Sequence, residues 1–376
     1  MRIAVVSNTA WYLFNFRLNL MHSLIAAGHS VVAVAPEDVY CERILTAGVN
    51  FENVQISGGG TNPFKEILSV IGLWRVIRRH RIDLVLSYTP KGNLYSALAC
   101  ILRGVPFVPN VSGLGRAFIR KSPATLAAQV LYKLTFGRAY RVFFQNLDDM
   151  GVFVNAGLVH TKNAERLPGS GVDLTRFVPA PPPIRSHAAP VFLLVARMLW
   201  DKGVGEYVEA ARKVRALHPE CRFQLLGFLD VANPSAISRK QMDEWVTEGV
   251  VDYLGKTDDV RPHIFNADCV ILPSYREGVP RTLLEAAATA RPVITTDAPG
   301  CRDTVIDGQT GFLCRPADTA DLVEKILKFV SLTHDQRASM GRNGRAFAEE
   351  NFSEHFVIER YLKVVGAIRA SYSNLK

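Results

Sequence analysis

The chain lacks the features that would mark it as a disulfide-stapled, zinc-binding or membrane-spanning protein. Only 6 of its 376 residues are cysteines, and none forms a Cys-x-x-Cys pair. This spacing argues against a zinc site or a disulfide framework and fits a reducing cytosol. No stretch approaches the roughly 18 apolar residues that a membrane-spanning helix needs. Residues 1–6 are too short for the apolar region of a signal peptide, and we interpret them as a first β-strand.

Acidic residues are scarce in the first half of the chain. Residues 1–177 contain 19 Lys and Arg against 10 Asp and Glu, so the whole net charge of +9 precedes residue 178. Two amphipathic segments, 64–81 and 116–141, concentrate the cations, which suits an anionic membrane surface. Each segment alone is explained more simply by a core-facing stripe with cations at a helix end. The asymmetry between the halves nevertheless favours an anionic partner.

No recognised nucleic-acid-binding motif accompanies this charge, so we expect no nucleic-acid partner. We expect a cytoplasmic protein that binds peripherally, and in a salt-sensitive way, to the inner face of the cytoplasmic membrane.

The order of apolar segments predicts two α/β domains. A chain of 376 residues exceeds the usual size of one core. Short apolar strands alternate with helices before and after a stretch with five prolines in thirteen residues, 178–190. This pattern predicts doubly wound, Rossmann-like parallel sheets at 1–177 and 191–352, joined by a stiff linker. A C-terminal helix at 353–376 is expected to pack back towards the first domain. Ligands of such sheets bind outside the carboxyl ends of the strands, which we expect around an interdomain cleft.

Two glutamates eight positions apart form the most informative motif. Glu277 follows an apolar strand, and Glu285 lies about one turn into the alanine-rich helix that comes next. The start of that helix offers unpaired N–H groups and partial positive charge, which favour a bound phosphate. Carboxylates on both sides of a phosphate site suit a nucleotide sugar. On spacing alone, ordinary acidic residues near a helix start are the simpler reading.

A second strand-to-helix loop carries two cations. Arg197 and Lys202 follow the strand at 191–195, and Gly203 permits a tight approach to the next helix. Arginine chelates phosphate oxygens and lysine adds a point charge. Taken alone, the pair is explained as two ordinary surface cations. The two glutamates in the same predicted domain favour a phosphate-binding role for it.

Together these residues resemble the signature of retaining glycosyltransferases of family four. The likeness rests on Arg197, Lys202-Gly203, the two glutamates, the run 292–300, Gly308 and 311–313, and it extends over essentially the whole chain. It implies the GT-B fold, which comprises two Rossmann-like domains, with a nucleotide-sugar donor bound by the second.

The resemblance also implies roles for individual residues. Arg197 and Lys202 would hold the diphosphate, Glu285 the ribose hydroxyls, and Glu277 and Gly278 the sugar. The helix start at Arg281, Thr282 and Leu283 would complete the phosphate site. Glu277, Arg197 and Lys202 are therefore the expected catalytic residues. The α-linkage would be retained, UDP is favoured over GDP, and neither a metal nor another cofactor is expected.

The first half is similar to the subgroup that acts on polyprenyl-diphosphate-linked glycans in bacterial surface polysaccharide synthesis. The likeness lies in residues 8–17, 89–93, 112–115 and 169–173. Arg17, Lys91, Ser112 and Arg116 are the expected acceptor contacts. The chain departs from the family pattern twice: Thr9-Ala10 stands where many members have Gly-Gly, and Ser112 lies in the loop where many have histidine. Arg17 and Lys91 are equally well explained as surface cations at helix starts.

Two other functions remain open from the sequence. One is a sugar-nucleotide epimerase of the same fold, which needs no lipid acceptor. The other is a protein that binds sugar nucleotides without turnover. The complete set of glutamates and cations favours the transferase.

Overall fold

The computed structural model describes residues 1–56, 62–114, 123–179, 189–231 and 233–373. The chain divides into two compact units, Met1–Ser170 with His355–Lys376, and Gly171–Glu354. Most of the predicted linker and the candidate acceptor residue Arg116 lie outside the described residues. Among those described, no helix is long and apolar enough to cross a membrane.

The first unit is built on a seven-stranded sheet in which every neighbouring pair is parallel. The strands are β1 (Arg2–Val6), β2 (Ser30–Ala35), β3 (Asn50–Asn53), β4 (Leu84–Tyr88), β5 (Phe107–Val111), β6 (Val142–Phe144) and β7 (Ala164–Arg166). Their spatial order is β3-β2-β1-β4-β5-β6-β7. The order reverses direction at β1 and β4, as in a doubly wound fold.

Helices cover both sides of this sheet. They are α1 (Ala10–Ala26), α2 (Cys41–Thr46), α3 (Pro63–Arg79), α4 (Pro90–Arg103), α5 (Pro123–Phe136) and α6 (Leu147–Asn155). Alternate strand residues point to opposite faces. Ala4 and Val6 belong to the core cluster on the side covered by α3, α4, α5 and α6, whereas Ile3 and Val5 belong to the cluster on the side covered by α1 and α2.

The first helix begins earlier than the sequence pattern predicts. We expected a start at Arg17, but Thr9 has an extended backbone and its hydroxyl accepts the N–H of Tyr12, so the helix starts at Ala10. Arg17 consequently lies two turns inside the helix and on its buried face.

The second unit contains a six-stranded parallel sheet. Its strands are β8 (Val191–Val195), β9 (Arg222–Leu226), β10 (Asp252–Tyr253), β11 (Cys269–Leu272), β12 (Val293–Thr296) and β13 (Gly311–Cys314), in the order β10-β9-β8-β11-β12-β13. Its helices are α7 (Val204–Leu217), α8 (Arg239–Thr247), α9 (Arg261–Phe265), α10 (Arg281–Ala288), α11 (Thr319–Ser331) and α12 (His334–Asn351). The predicted fold class, two doubly wound α/β sheets, is confirmed.

The last helix, α13 (Glu354–Ser373), completes the core of the first unit. Val357, Tyr361, Val365 and Ile368 are at most 2% exposed and pack with residues of β1, β2 and α1. The hydroxyl of Tyr361 accepts a 3.0 Å hydrogen bond from Nδ2 of Asn110 at the end of β5. The first unit is therefore assembled from the two ends of the described chain.

Candidate active site at the carboxyl edge of the second sheet

The strand order of the second unit opens a crevice between two loops. The chain leaves β8 through α7 to reach β9 on one side, and it leaves β11 through α10 to reach β12 on the other. Where the winding direction reverses in this way, ligands bind outside the carboxyl ends of the strands. The loop after β8 carries Arg197 and Lys202, and the loop after β11 carries Glu277 and Gly278. The structure thus places the two predicted motifs at the same edge of the sheet.

Lys202 and Glu277 meet across this crevice. Nζ of Lys202 donates to Oε1 of Glu277, and each side chain is 16% exposed. Lys202 ends a short 3-10 turn, and the backbone N–H of Glu277 is fixed by a 3.0 Å bond to the carbonyl of Pro299. The cation predicted for phosphate and the carboxylate predicted for sugar hydroxyls are therefore already adjacent.

Two glycines allow the loops to approach one another so closely. Gly203 has φ +71°, and a Cβ there would lie 2.1 Å from the carbonyl oxygen of Pro273. Gly300, at φ +79°, would place a Cβ 2.0 Å from the carbonyl oxygen of Gly278. Gly203 therefore lets the loop that carries Lys202 lie against the end of β11. Gly300 likewise lets the loop after β12 lie against the loop that carries Glu277. Only glycine meets both the left-handed backbone and the contact distance.

The start of α10 is tied to the end of β8. A proline after a strand suits the first turn of a helix, but Pro280 precedes α10 as its cap residue. Oγ1 of Thr282 donates to the carbonyl of Val195 at 3.2 Å. Leu283 is fully buried, and its N–H donates to the carbonyl of Pro280 at 3.1 Å. A proline cap supplies no side-chain acceptor, and within the described residues the N–H of Thr282 has no protein acceptor.

Glu285 lies against Arg281 one turn away. Nε of Arg281 and Oε1 of Glu285 are 3.0 Å apart, and the side chains are 13% and 12% exposed. Burial raises the pKa of the Glu285 carboxyl above its ordinary value, although the positive charge of Arg281 opposes the rise. The pair is therefore a partly desolvated ion pair at a helix start.

Arg197 differs from the other cations of the site. It is exposed, and its guanidinium makes no ion pair with a described residue. It follows Ala196 immediately after β8, so it is presented at the carboxyl edge without a protein anion to satisfy it. This arrangement suits the binding of an external anion.

Sequence reasoning missed two further residues near Glu277. Tyr275, in the same loop, is 39% exposed and donates its hydroxyl to Oε1 of Glu206 at 2.5 Å. Cys301 is fully buried, and burial, reinforced by Glu277, raises the pKa of its thiol to about 12. The thiol is therefore neutral at physiological pH and does not serve as a nucleophile. Because Tyr275 is an aromatic residue within the Glu277 motif, the sequence could have indicated it. No sequence signal indicated Cys301.

The first unit has its own reversal point, between β1 and β4. Thr89, directly after β4, has φ +66° and ψ 150°, a backbone conformation that residues with a side chain rarely adopt. A Cβ on Gly92 would lie 3.0 Å from Oγ1 of Thr89 and 3.6 Å from Cα of Ser7. Lys91 lies in the same turn and forms a 2.6 Å ion pair with Glu66. Strain of this kind clusters at functional sites.

The remaining acceptor candidates have different surroundings. Ser112 is half-buried in the loop after β5. Arg17 is 1% exposed, so the alternative reading as a surface cation is wrong. Its Nη2 donates to the hydroxyls of Tyr12 and Ser170, both at 3.0 Å, and its guanidinium lies 4.2 Å from the ring centre of Tyr88.

No group of three or more His, Cys, Asp or Glu is arranged to hold a metal ion among the residues that the structure describes.

Comparison with known proteins identifies both halves of the chain. Residues 16–157 match a glycosyl transferase 4-like domain, and residues 189–331 match the model for glycosyl transferases group 1. A relative from Campylobacter jejuni, N,N'-diacetylbacillosaminyl-diphospho-undecaprenol alpha-1,3-N-acetylgalactosaminyltransferase, is 28% identical over 97% of this chain and 98% of its own length.

Solved structures agree on the fold. Anabaena HepE in complex with UDP-glucose superimposes with a TM-score of 0.78 at 17% identity, covering 100% of both chains. Sucrose-phosphate synthase from Thermosynechococcus elongatus gives a TM-score of 0.79 at 18% identity, covering 99% of this chain and 100% of its own. With its two matching domains and this architecture, the chain belongs to the family-four glycosyltransferases of GT-B fold.

Proposed function

We propose that this enzyme transfers a hexose or N-acetylhexosamine from a UDP-sugar to a polyprenyl-diphosphate-linked glycan, with retention of the α configuration, during surface polysaccharide assembly. The observation that carries the proposal is the contact between Lys202 and Glu277 at the reversal point of the second sheet. It joins a phosphate-binding cation to a hydroxyl-binding carboxylate where the fold binds ligands.

The donor site follows from charge. As the sugar leaves, negative charge grows on the departing diphosphate. Lys202 and the N–H groups at the start of α10 are held in place before reaction, and Arg197 is presented at the same edge of the sheet; together they would stabilise that charge. These groups supply the required positive charge, so the proposal includes no metal or other cofactor. UDP is favoured because the structural neighbour HepE was solved with UDP-glucose.

The carboxylates take different roles in this proposal. Glu285, held by Arg281, would accept hydrogen bonds from the ribose hydroxyls. Glu277, with Gly278 behind it, would orient the transferred sugar. The acceptor would attack from the face that the diphosphate leaves, and the diphosphate oxygen would help to remove the acceptor proton. Glu277 then acts as an orienting group and not as a nucleophile.

The acceptor is assigned to the first unit. The Campylobacter relative acts on a diphospho-undecaprenol-linked sugar, as its name states. The strained turn at Thr89, with Lys91 beside it, and the loop containing Ser112 lie at the carboxyl ends of β4 and β5. We propose that these residues, together with Arg116, contact the acceptor, and that Arg17 supports the turn from beneath through Tyr88.

A lipid-linked acceptor requires access to a membrane. We propose peripheral binding to the inner face of the cytoplasmic membrane. The excess of cations in residues 1–177 supports this placement because anionic lipid attracts basic surfaces.

The first test replaces Glu277. Glu277→Gln removes the carboxylate charge and with it the ion pair with Lys202, so transfer is expected to fall by about 10²–10³-fold. Turnover is measured with labelled UDP-sugars and a polyprenyl-diphosphate glycan. Glu248→Gln is the matched control, because Glu248 forms an exposed ion pair with Arg212 in the same unit. Near-normal transfer by Glu277→Gln would remove Glu277 from the site.

The same assay separates this function from the alternatives. Label that moves into the lipid acceptor supports the transferase. A changed sugar on the free nucleotide supports an epimerase. Binding without turnover across a panel of UDP- and GDP-sugars supports a binding protein.

A further inference from the structure

Helix α3 has two apolar stripes on opposite sides. Leu73, Val76 and Ile77 are at most 5% exposed and pack in the core beneath the sheet. A second stripe stands in solvent: Phe64 is 80% exposed, Leu68 65% and Ile67 56%. At about 100° per residue the two stripes lie roughly half a turn apart. The core therefore leaves the second stripe uncovered.

Cations continue the exposed stripe along the same side of the helix. Arg75, Arg78 and Arg79 are exposed, and their helical positions fall on the outward side. Arg79 contacts Glu52 at 3.4 Å while remaining 67% exposed. Glu66, the acidic residue of the first turn, is engaged by Lys91. The outward side is thus apolar in its first half and basic in its second.

Helix α5 adds a second exposed row. Leu126, Val130 and Leu134 recur every four residues and are 64%, 50% and 61% exposed. Both α3 and α5 pack against α4, whose Leu102 is 70% exposed. The three helices cover the same side of the first sheet. Their outward residues form one surface, which we call the α3–α5 face.

We propose that the α3–α5 face is the surface with which this enzyme binds an anionic lipid bilayer. The apolar rows enter the boundary between headgroups and acyl chains, and the arginines of α3 contact lipid phosphates. This inference rests on the proposed membrane location and adds the surface that performs it. Charge favours lipid over a second copy of the chain, because a symmetric contact would set the arginines of one copy near those of the other.

Site-specific labels test this orientation. All six native cysteines are buried, so a single cysteine introduced at an exposed position accepts a polarity-sensitive dye selectively. Ile67→Cys and Val130→Cys place the dye on the α3–α5 face. Leu45→Cys is the matched control: Leu45 is 53% exposed on α2, which packs against the opposite side of the sheet.

The expected result is a blue shift at positions 67 and 130, and not at 45, with vesicles of phosphatidylglycerol and phosphatidylcholine. Phosphatidylcholine vesicles alone should produce a smaller shift. A response at position 45 with none at 67 or 130 would overturn the assignment of the face while leaving membrane binding intact.

Substitutions provide the independent measurement. The double variant Ile67→Ser/Leu68→Ser is expected to weaken sedimentation with anionic vesicles about tenfold or more, from the loss of two apolar side chains. Arg75→Glu/Arg78→Glu should weaken it comparably at low salt. Leu45→Ser should not change it. Unchanged sedimentation in both double variants would overturn the proposal.

For the same variants, sugar transfer to a detergent-solubilised acceptor is measured in addition to vesicle sedimentation. Normal transfer by both double variants shows that the glycosyltransferase function stands whether or not the face is correct. If wild type shows no affinity for anionic vesicles and instead forms a dimer that Ile67→Ser/Leu68→Ser dissociates, the face is a self-interface and the proposal is wrong.

Discussion

At the scale of single residues, Arg17 shows how a charge can be kept inside a core. It is 1% exposed, and no carboxylate among the described residues pairs with it. Burial opposes its charge, yet Tyr12, Tyr88 and Tyr361 together raise the pKa of the guanidinium above its ordinary value. Stacking on aromatic faces stabilises a desolvated cation. The charge is therefore retained without a counter-ion.

Substitution can separate the charge of Arg17 from its volume. Arg17→Met keeps much of the volume and removes the desolvated charge, so the free energy of unfolding is expected to stay within about 1 kcal/mol of wild type. Arg17→Ala also leaves a cavity and should cost about 3 kcal/mol. Urea unfolding measures both. If Arg17→Met were as unstable as Arg17→Ala, the charge itself would be required for folding.

Glu285 gives a pH-dependent prediction. Because burial raises its folded pKa above the unfolded value, the folded state holds the proton more tightly. The free energy of unfolding therefore falls as pH rises through the interval between the two pKa values. Glu285→Gln should flatten this part of the pH profile in thermal unfolding while weakening donor binding. An unchanged profile as the pH rises above the ordinary pKa of a glutamate would contradict the raised pKa.

At the scale of elements, close backbone contacts hold the donor loops in place. Gly203 and Gly249 have nearly the same backbone, φ +71° and +75°, but very different surroundings. A Cβ at Gly203 meets the carbonyl of Pro273 at 2.1 Å, whereas nothing lies within 4 Å of one at Gly249.

These two glycines form a matched pair for mutation. Gly249→Ala should cost about 1 kcal/mol, from backbone strain alone. Gly203→Ala should cost clearly more and also reduce affinity for UDP, because the loop bearing Lys202 must shift. Urea unfolding and UDP titration measure the two effects. Equal losses of stability and unchanged UDP affinity in Gly203→Ala would show that the loop contact has no bearing on the site.

The sequence predicted many elements whose residues are uniformly apolar or clearly periodic, although the apolar strand β13 and the amphipathic helix α11 were missed. The apolar pattern predicts strands at 30–35, 191–195, 222–226 and 269–272 and a helix at 204–217, and β2, β8, β9, β11 and α7 have these bounds. The short strands β3 and β7 were missed because Asn50–Asn53 and Ala164–Arg166 are mostly polar and half-exposed at the sheet edges. The early start of α1 was missed because we predicted the start at the charged residue Arg17, whereas the hydroxyl of Thr9 caps the helix so that it starts at Ala10. Pairing with a neighbouring strand decided the first two cases and a local hydrogen bond decided the third, and a hydrophobic pattern reports neither.

The sequence proposed the members of the candidate site but not their contacts with one another. Arg197, Lys202, Glu277 and Glu285 were indicated by their places after strands or near a helix start, taken together with the family resemblance. That Lys202 contacts Glu277 depends on β8 and β11 being neighbours in the sheet, whereas Arg281 and Glu285 stand four positions apart on one helix. Burial of Arg17 likewise depends on tyrosines 70 or more positions away in the sequence, which one helix pattern cannot reveal.

At the scale of the whole molecule, α13 links the end of the described chain to the first sheet. Tyr361 is fully buried, lies 4.8 Å from the ring of Phe143, and accepts the hydrogen bond from Asn110. Tyr361→Ala is expected to destabilise the first unit by about 3–5 kcal/mol.

Hydrogen exchange locates this effect. Protection should fall in β4 and β5 of the first unit and stay unchanged in β11 and β12 of the second. Tyr372→Ala, on the same helix but 41% exposed, is the control and should change stability by less than about 0.5 kcal/mol. Equal loss of protection in both units would show that they unfold together.

The return of α13 also sets the order in which the protein can mature on the ribosome. Residues 357–368 are synthesised after all of the second unit, yet they complete the core cluster on one side of the first sheet. The first unit, although translated first, must wait for them with apolar surface uncovered. The half to which we assign donor binding is therefore expected to mature before the half assigned to the acceptor, and chaperones have the longer opportunity to act on the N-terminal half.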